Sequence, residues 1–338
     1  MPELRHRSHR AGYRLQPLAR EVAIGPGPAP IRTPCPARRV AVHRPGQPGR
    51  CSNTATPEGR PLQCHCNARR LAVAVILQRG GLGPEPRLGF VLSLFDPGTG
   101  QAEPLVPIHR GELRILTRGG SPGLAGLCDL LLPDLIRRTA EWHRLRVASA
   151  WAEDGSSPAF RQAASALNLR PPDTDDLGSA ADVCTGEPPG AGRWARSGPV
   201  TFPADLDGGG PDPLAGLARR GLDPLTLRLV LLGRRYRDPL TVTWTAMTDA
   251  SEELASWRGL VADWANLPSR PLSAAYRGRI AAAFDDDLDT PAALAVLRDL
   301  AADASVAAGA RFETFADADR LFGLDLVRDV GRDAGRAG

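Results

Sequence analysis

The chain has 338 residues, 42% of them apolar, which is enough for two folded units with cores of their own. All 42 basic residues are arginine, so chemistry that needs a lysine, such as a P-loop or a Schiff base, is excluded. The formal charge of +4 hides an asymmetry: residues 1–70 hold 13 Arg against Glu3, Glu21 and Glu58, a net of +10, leaving −6 for the rest.

Residues 1–70 are rich in Pro, Arg and Gly and lack hydrophobic periodicity, so they are expected to be disordered. Cys35, Cys51, Cys64 and Cys66 lie there with His43 and His65, but their spacing fits no paired metal framework, and free thiols are expected. An Arg-rich tail can touch phosphates without specificity, although a solvated tail is the simpler reading. No apolar run approaches the roughly 18 residues of a membrane span. The tail has no secretory apolar core either, so a cytoplasmic location with mostly reduced cysteines is expected.

Leu71–Leu77 and Leu88–Phe95 read as strands, and Asp96-Pro97-Gly98 as a turn. From Asp223 to Leu240 the text is DPLTLRLVLLGRRYRDPL, a helix with Asp223 as cap, Pro224 as start and Leu225, Leu229 and Leu232 on one face. A second helix runs from Thr245 to Asn266, where Met247, Ala250, Leu254, Trp257, Val261 and Trp264 alternate steps of three and four. Tyr276–Phe284 and Glu313–Phe322 read as further helical segments. Between them, Thr290 is expected to cap a helix that Pro291 begins, with Leu294, Leu297 and Leu300 inward. Asp285, Asp286, Asp287 and Asp289 crowd its start, where the helix dipole favours negative charge. Their spacing is not that of a calcium-binding loop.

Few constellations carry chemistry. Gly208–Gly210 is not followed by Lys-Ser/Thr, so it is no phosphate loop. Cys128 and His143 are fifteen residues apart, too far to pair along one helix, and His109 is a lone loop histidine. Arg234, Arg235 and Arg237, with Tyr236 between them, form the one polar patch at a helix end. They read equally as phosphate contacts and as complements to a helix C-terminus.

DDDLDTPAALAVL (285–297) resembles the helical-domain motif of cysteinyl-tRNA synthetases and their mycothiol-pathway ligase relatives. LFDPGTGQAEPLVPIHRGELRILTRGG (94–120) is similar to the start of that family's catalytic domain, which makes Glu112–Thr117 a strand. A helix from Leu127 to Val147 follows, where Asp134, Arg137, Arg138, Glu141 and Trp142 match the family. Pro133 departs from it, at about 3 kcal/mol if placed inside a helix. FRQAASALNLRPPD (160–173), CTGEPPGAGRWARSGPVTF (184–202), DPLTLRLVLLGRRYRDPL (223–240) and Asp319–Leu326 also match, the last leading out of Glu313–Phe322. A long insertion separates the first two of these in the family, and here they nearly adjoin.

The resemblance implies an ATP-dependent joining of cysteine to a carrier, using H-I-G-H and K-M-S-K-S motifs and a zinc ion held by Cys, Cys, His and Glu. The H-I-G-H place holds Gly123-Leu124-Ala125-Gly126, so Gly123 and Gly126 replace both histidines. The K-M-S-K-S place is PADLDGGGPDP, where Asp205 and Asp207 would repel a triphosphate. The first zinc cysteine falls at Arg118, and the other ligands lie in the absent insertion. Cys184 sits in a matched turn and is read as structural.

The fold expected is α/β plus α: a truncated Rossmann-like (class I synthetase) remnant over 71–210, then an α-helical bundle over 211–330, with residues 331–338 as a tail. The function expected is that of a degenerate cysteinyl-tRNA synthetase-like protein without aminoacylation, with no cofactor and no intact catalytic residue. Binding of tRNA through Arg234, Arg235 and Arg237, or of protein through the helical domain, is the remaining role. A monomer that makes no membrane contact is expected. The alternative is an active ATP-dependent cysteine ligase with substituted catalytic residues.

Overall fold

In the computed structural model of the chain, residues 92–107, 111–118, 123–152, 157–177, 181–187, 193–206 and 212–332 are described. They fall within one unit, Leu82–Gly338. The tail cysteines, the strand expected at Leu71–Leu77, His109 and Gly208–Gly210 lie outside the described residues.

Asp96 turns the chain. Its carboxylate accepts from the Gly98 amide and its carbonyl from the Gly100 amide, each at 2.8 Å. This folds β1 (Ser93–Asp96) onto β2 (Gln101–Pro104) as an antiparallel hairpin. Next comes β3 (Glu112–Arg118), whose Leu113, Ile115 and Thr117 alternate inward as a half-covered strand requires.

The single helix expected from Leu127 to Val147 is instead α1 (Gly123–Asp129), α2 (Leu131–Trp142) and β4 (Arg146–Trp151). Pro133 therefore lies in the first turn of α2, where its missing N–H has no helical partner to lose, so the cost expected for an interior proline does not arise. The helix stops because Arg144 adopts a φ of 66°, turning the chain back into β4. α3 (Pro158–Ala166) is capped by the Ser157 hydroxyl, and β5 (Val183–Gly186) and β6 (Trp194–Ala195) follow. The four strands form a parallel sheet in the order β4-β3-β5-β6, with helices in the β3–β4 and β4–β5 connections, an α/β arrangement.

The rest is mainly helical. β7 (Val200–Thr201) pairs in parallel with β8 (Leu240–Thr241), and between them lie α4 (Ala215–Arg219) and α5 (Pro224–Leu232). Asp223 caps α5 as expected, but the helix ends at Leu232, so Arg234–Arg237 lie beyond it. α6 (Trp244–Ala265) buries the whole Met247–Trp264 stripe. Trp257 and Trp264 meet Phe315 edge-on, at 6.3 and 5.3 Å between ring centres. α7 (Ala274–Asp285), α8 (Thr290–Ala302) and α9 (Ala308–Phe322) complete the bundle.

α8 begins one residue differently from the expectation. Asp289, not Thr290, is the cap: its carboxylate accepts from the Ala292 amide at 3.0 Å. Thr290 donates its hydroxyl to the Arg234 carbonyl at 3.2 Å and is buried. Leu294, Leu297 and Leu300 are fully buried as expected. One apolar core runs without a break from Leu92 to Leu326 and joins the sheet helices to the bundle.

Candidate functional site

In an open parallel sheet, ligands sit beyond the carboxyl ends of the strands, where the strand order reverses. Here β3 has β4 on one side and β5 on the other, so the crevice lies at Arg118 and Gly186. Gly186 has a φ of +88°, and a Cβ there would lie 2.2 Å from the Arg118 carbonyl oxygen, so the two strand ends close on each other. Behind them the Thr185 hydroxyl donates to the Thr117 hydroxyl at 3.1 Å. α1 opens with Gly123 at a φ of +74°, and Leu124 and Gly126 are buried. The four residues at the first motif's place therefore present no titratable side chain.

The other two motif places also lack their donors. Arg118 cannot ligate a cation, and among the described residues no group of three or more His, Cys, Asp or Glu is arranged to hold a metal ion. The described residues at this place do not fit zinc. At the second motif's place, Asp205 accepts from Arg220 at 2.7 Å and from Trp244 Nε1 at 2.9 Å. The chain has no lysine to meet a triphosphate there, and so the described residues of that place do not fit ATP either.

The two described cysteines are inert. Burial pushes the Cys128 thiol up to about 12, with Asp129 adding to the effect and Arg234 opposing it. Burial likewise raises Cys184, against Arg118. The Cys128 thiol therefore stays protonated at pH 8, and the side chain is 4% exposed. Site-resolved alkylation by iodoacetamide should therefore label Cys128 only under unfolding conditions. Labelling of the native chain at the rate of a free peptide cysteine would contradict this environment.

The arginine run is held internally. Arg234 donates to the carbonyls of Tyr236 (2.9 Å), Arg235 (3.4 Å), Gly198 (3.3 Å) and Asp238. Arg235 pairs with Asp289 and stands 4.0 Å from both Asp286 and Asp287. Arg237 Nε donates to Asp287 at 2.8 Å, and its guanidinium lies 4.3 Å over the Phe95 ring. None of the three lies in the last turn of a helix, so the dipole-complement reading fails on position.

Asp287 and Asp289 are the other half of this cluster: the reading as helix-start electrostatics holds for Asp289, which also caps α8, whereas Asp285 and Asp287 are taken up by distant partners. Asp287, buried, accepts from the Phe95 amide (2.8 Å), the Tyr236 hydroxyl (2.7 Å) and Arg237. Asp285 pairs with His143 at 2.7 Å and ties α7 to the end of α2. Burial, reinforced by Asp287, pushes the Tyr236 phenol well above its ordinary range.

In a second polar centre only the Asp134–Arg138 pair is local in the sequence. Asp134 on α2 is 4% exposed and accepts from Arg138 (2.8 Å) and from Arg228 on α5 (2.6 Å). Arg228 also donates to the carbonyls of Phe322 (2.6 Å) and Leu167 (3.0 Å), and Arg138 to those of Asn168 (2.7 Å) and Arg320 (3.2 Å). Gly323, at a φ of +64°, leaves room for the Arg138 guanidinium, which a Cβ would approach to 2.8 Å. Burial alone would raise Asp134, but Arg228 and Arg138 outweigh it and hold the carboxyl below its usual range. Asp134, Arg138, Asn168, Arg228 and Gly323 all fall in the stretches that carry the resemblance. Here they join α2, α5, α9 and the turn after α3.

No family model matches the chain. Curated relatives do. A protein of Thermobispora bispora is 30% identical over 230 residues, 63% of this chain and 52% of its own length. One of Streptomyces griseus is 37% identical over 126 residues, 35% of this chain and 29% of its own. A third, of Streptomyces scabiei, is 30% identical over 60% of this chain and 52% of its own length. Each is named L-cysteine:1D-myo-inositol 2-amino-2-deoxy-alpha-D-glucopyranoside ligase. The chain is similar to these cysteine ligases. It spans about half the length, or less, of the curated relatives it matches. Among its described residues no helix is long and apolar enough to cross a membrane.

Proposed function

We propose that this chain is a non-catalytic, class I synthetase-like relative of the cysteine ligases, which keeps the ligase scaffold without an adenylation site. The observation that carries this reading is the lining of the crevice at the ends of β3 and β5. Where phosphate and cysteine would be met by donors, it has Arg118, Gly123 and Ala125. Losing one preorganised donor of this kind lowers a rate by about 100- to 1,000-fold, and here every expected donor is replaced. A cytoplasmic monomer belongs to the same reading.

The test is ATP–pyrophosphate exchange with cysteine. Exchange at the no-cysteine background is expected, and cysteine-dependent exchange clearly above it would overturn the proposal. That second outcome would favour an active cysteine ligase with substituted residues, the reading that the relatives' names support. Contact between the helical bundle and tRNA would have to draw Arg234, Arg235 and Arg237 away from carboxylates and carbonyls they already hold. In filter binding at several salt concentrations, replacing Arg235 and Arg237 by glutamine should leave tRNA retention unchanged. A weaker, less salt-dependent retention would restore these residues as phosphate contacts.

A further inference from the structure

The turn after α5 is clamped by one side chain. The terminal nitrogens of Arg234 donate to the carbonyls of Arg235, Tyr236, Asp238 and Gly198. A guanidinium has a further donor, the Nε–H. In Arg234 this atom is buried and meets no acceptor among the described residues. Leaving a buried N–H unpaired costs more than a made bond returns, so native structures seldom keep one. Arg234 also lines a cavity, with room for about one water-sized molecule, where the sheet helices meet the bundle. Its polar walls are Cys128 of α1, Ser197 after β6, Tyr236, and Thr290 of α8, and leucines of α2 and α5 close the rest. The Tyr236 hydroxyl is committed to Asp287. The Thr290 hydroxyl donates to the Arg234 carbonyl, which leaves its oxygen able to accept, and the Ser197 hydroxyl can do either. Charge is balanced around the cavity: Arg196 and Arg234 stand against Asp129 and Asp238.

We propose that this cavity is the binding site of one water molecule, which accepts from Arg234 Nε–H and donates to the hydroxyl oxygens of Thr290 and Ser197. The water completes the Arg234 clamp and bridges the sheet layer, through Ser197, to the bundle, through Thr290. An internal water needs two to four polar partners, and these three groups supply them. A halide ion fits less well for two reasons. It needs donors on every side, whereas Thr290 presents an acceptor, and the balanced charges leave no surplus to hold an anion.

The test is a crystal structure of the full chain at a resolution that shows ordered water. A solvent peak within about 3.2 Å of Arg234 Nε, and bonded also to Thr290 or Ser197, is expected. No peak there, or an Nε–H that donates to a protein carbonyl instead, overturns the proposal. So does an anomalous bromide peak at that place in crystals grown with sodium bromide. Urea unfolding of Cys128→Val gives a second readout, in solution. Valine adds bulk to the cavity wall and has nearly the helix propensity of cysteine. Filling a dry cavity stabilises a protein, whereas displacing a bonded water leaves the Nε–H unpaired. A midpoint below that of the wild type is therefore expected, and an equal or higher midpoint overturns the proposal.

Discussion

Replacing Asp134 with asparagine is expected to destabilise the chain by about 3–5 kcal/mol, because it leaves Arg138 and Arg228 buried without their shared counter-ion. The urea midpoint at pH 7 measures this. A surface carboxylate would change stability by at most about 0.5 kcal/mol, so a shift that small would contradict the role assigned to Asp134. The pH dependence gives an independent sign. The folded pKa of Asp134 lies below the unfolded value of about 3.9. Its contribution is therefore fully present above that value and is lost as pH falls through the depressed folded pKa. The asparagine variant should lose this part of the acid dependence below about pH 4, while the wild type retains it.

Asp287→Ala is expected to have a comparable effect, again about 3–5 kcal/mol, for a different reason. It removes the acceptor of the Phe95 amide and the Tyr236 hydroxyl together with the partner of Arg237. A buried donor left without a partner costs about 1–3 kcal/mol. The damage should be localised as well as global. Hydrogen exchange at the Phe95 amide should accelerate before that of α6, because the β1 hairpin loses its tie to the bundle. Burial and Asp287 together hold the Tyr236 phenol up, so the alkaline ionisation of Tyr236 should move down in the variant. Equal protection at Phe95 in both proteins would contradict the placement of Asp287 at this joint.

Much of the bundle was legible because its signals are local. Asp223 and Pro224 mark the start of α5 within two residues, and the Met247–Trp264 stripe needs only its own spacing. The break after Trp142 was not. RTAEWHRLRV continues a helical pattern, and the reversal rests on one residue, Arg144, whose positive φ no neighbour announces. β4, with its RVASAW text, shows little of the alternation that marks a strand.

The arginine run illustrates the limit most clearly. Arg234, Arg235 and Arg237 look like a cationic patch when their neighbours in the chain are all that is seen. The carboxylates that hold Arg235 and Arg237, Asp289 and Asp287, lie some fifty residues further on. The same distance conceals the centre at Asp134, whose partner Arg228 is 94 residues away. These long-range pairs also supply a physical reason for the resemblance to persist. The polar residues of the stretches that carry the resemblance hold α2, α5 and α9 together. A scaffold of this kind depends on them whether or not the crevice at Arg118 and Gly186 binds anything.

The most direct test of that separation is thermal unfolding of the full chain with and without a stable cysteinyl-adenylate analogue. A ligand at about 100 times its Kd adds roughly 2.7 kcal/mol to stability, which moves the midpoint by several degrees in a protein of this size. An unchanged midpoint at saturating analogue is expected. A concentration-dependent rise would contradict it and would mean that the crevice binds a cysteinyl-adenylate.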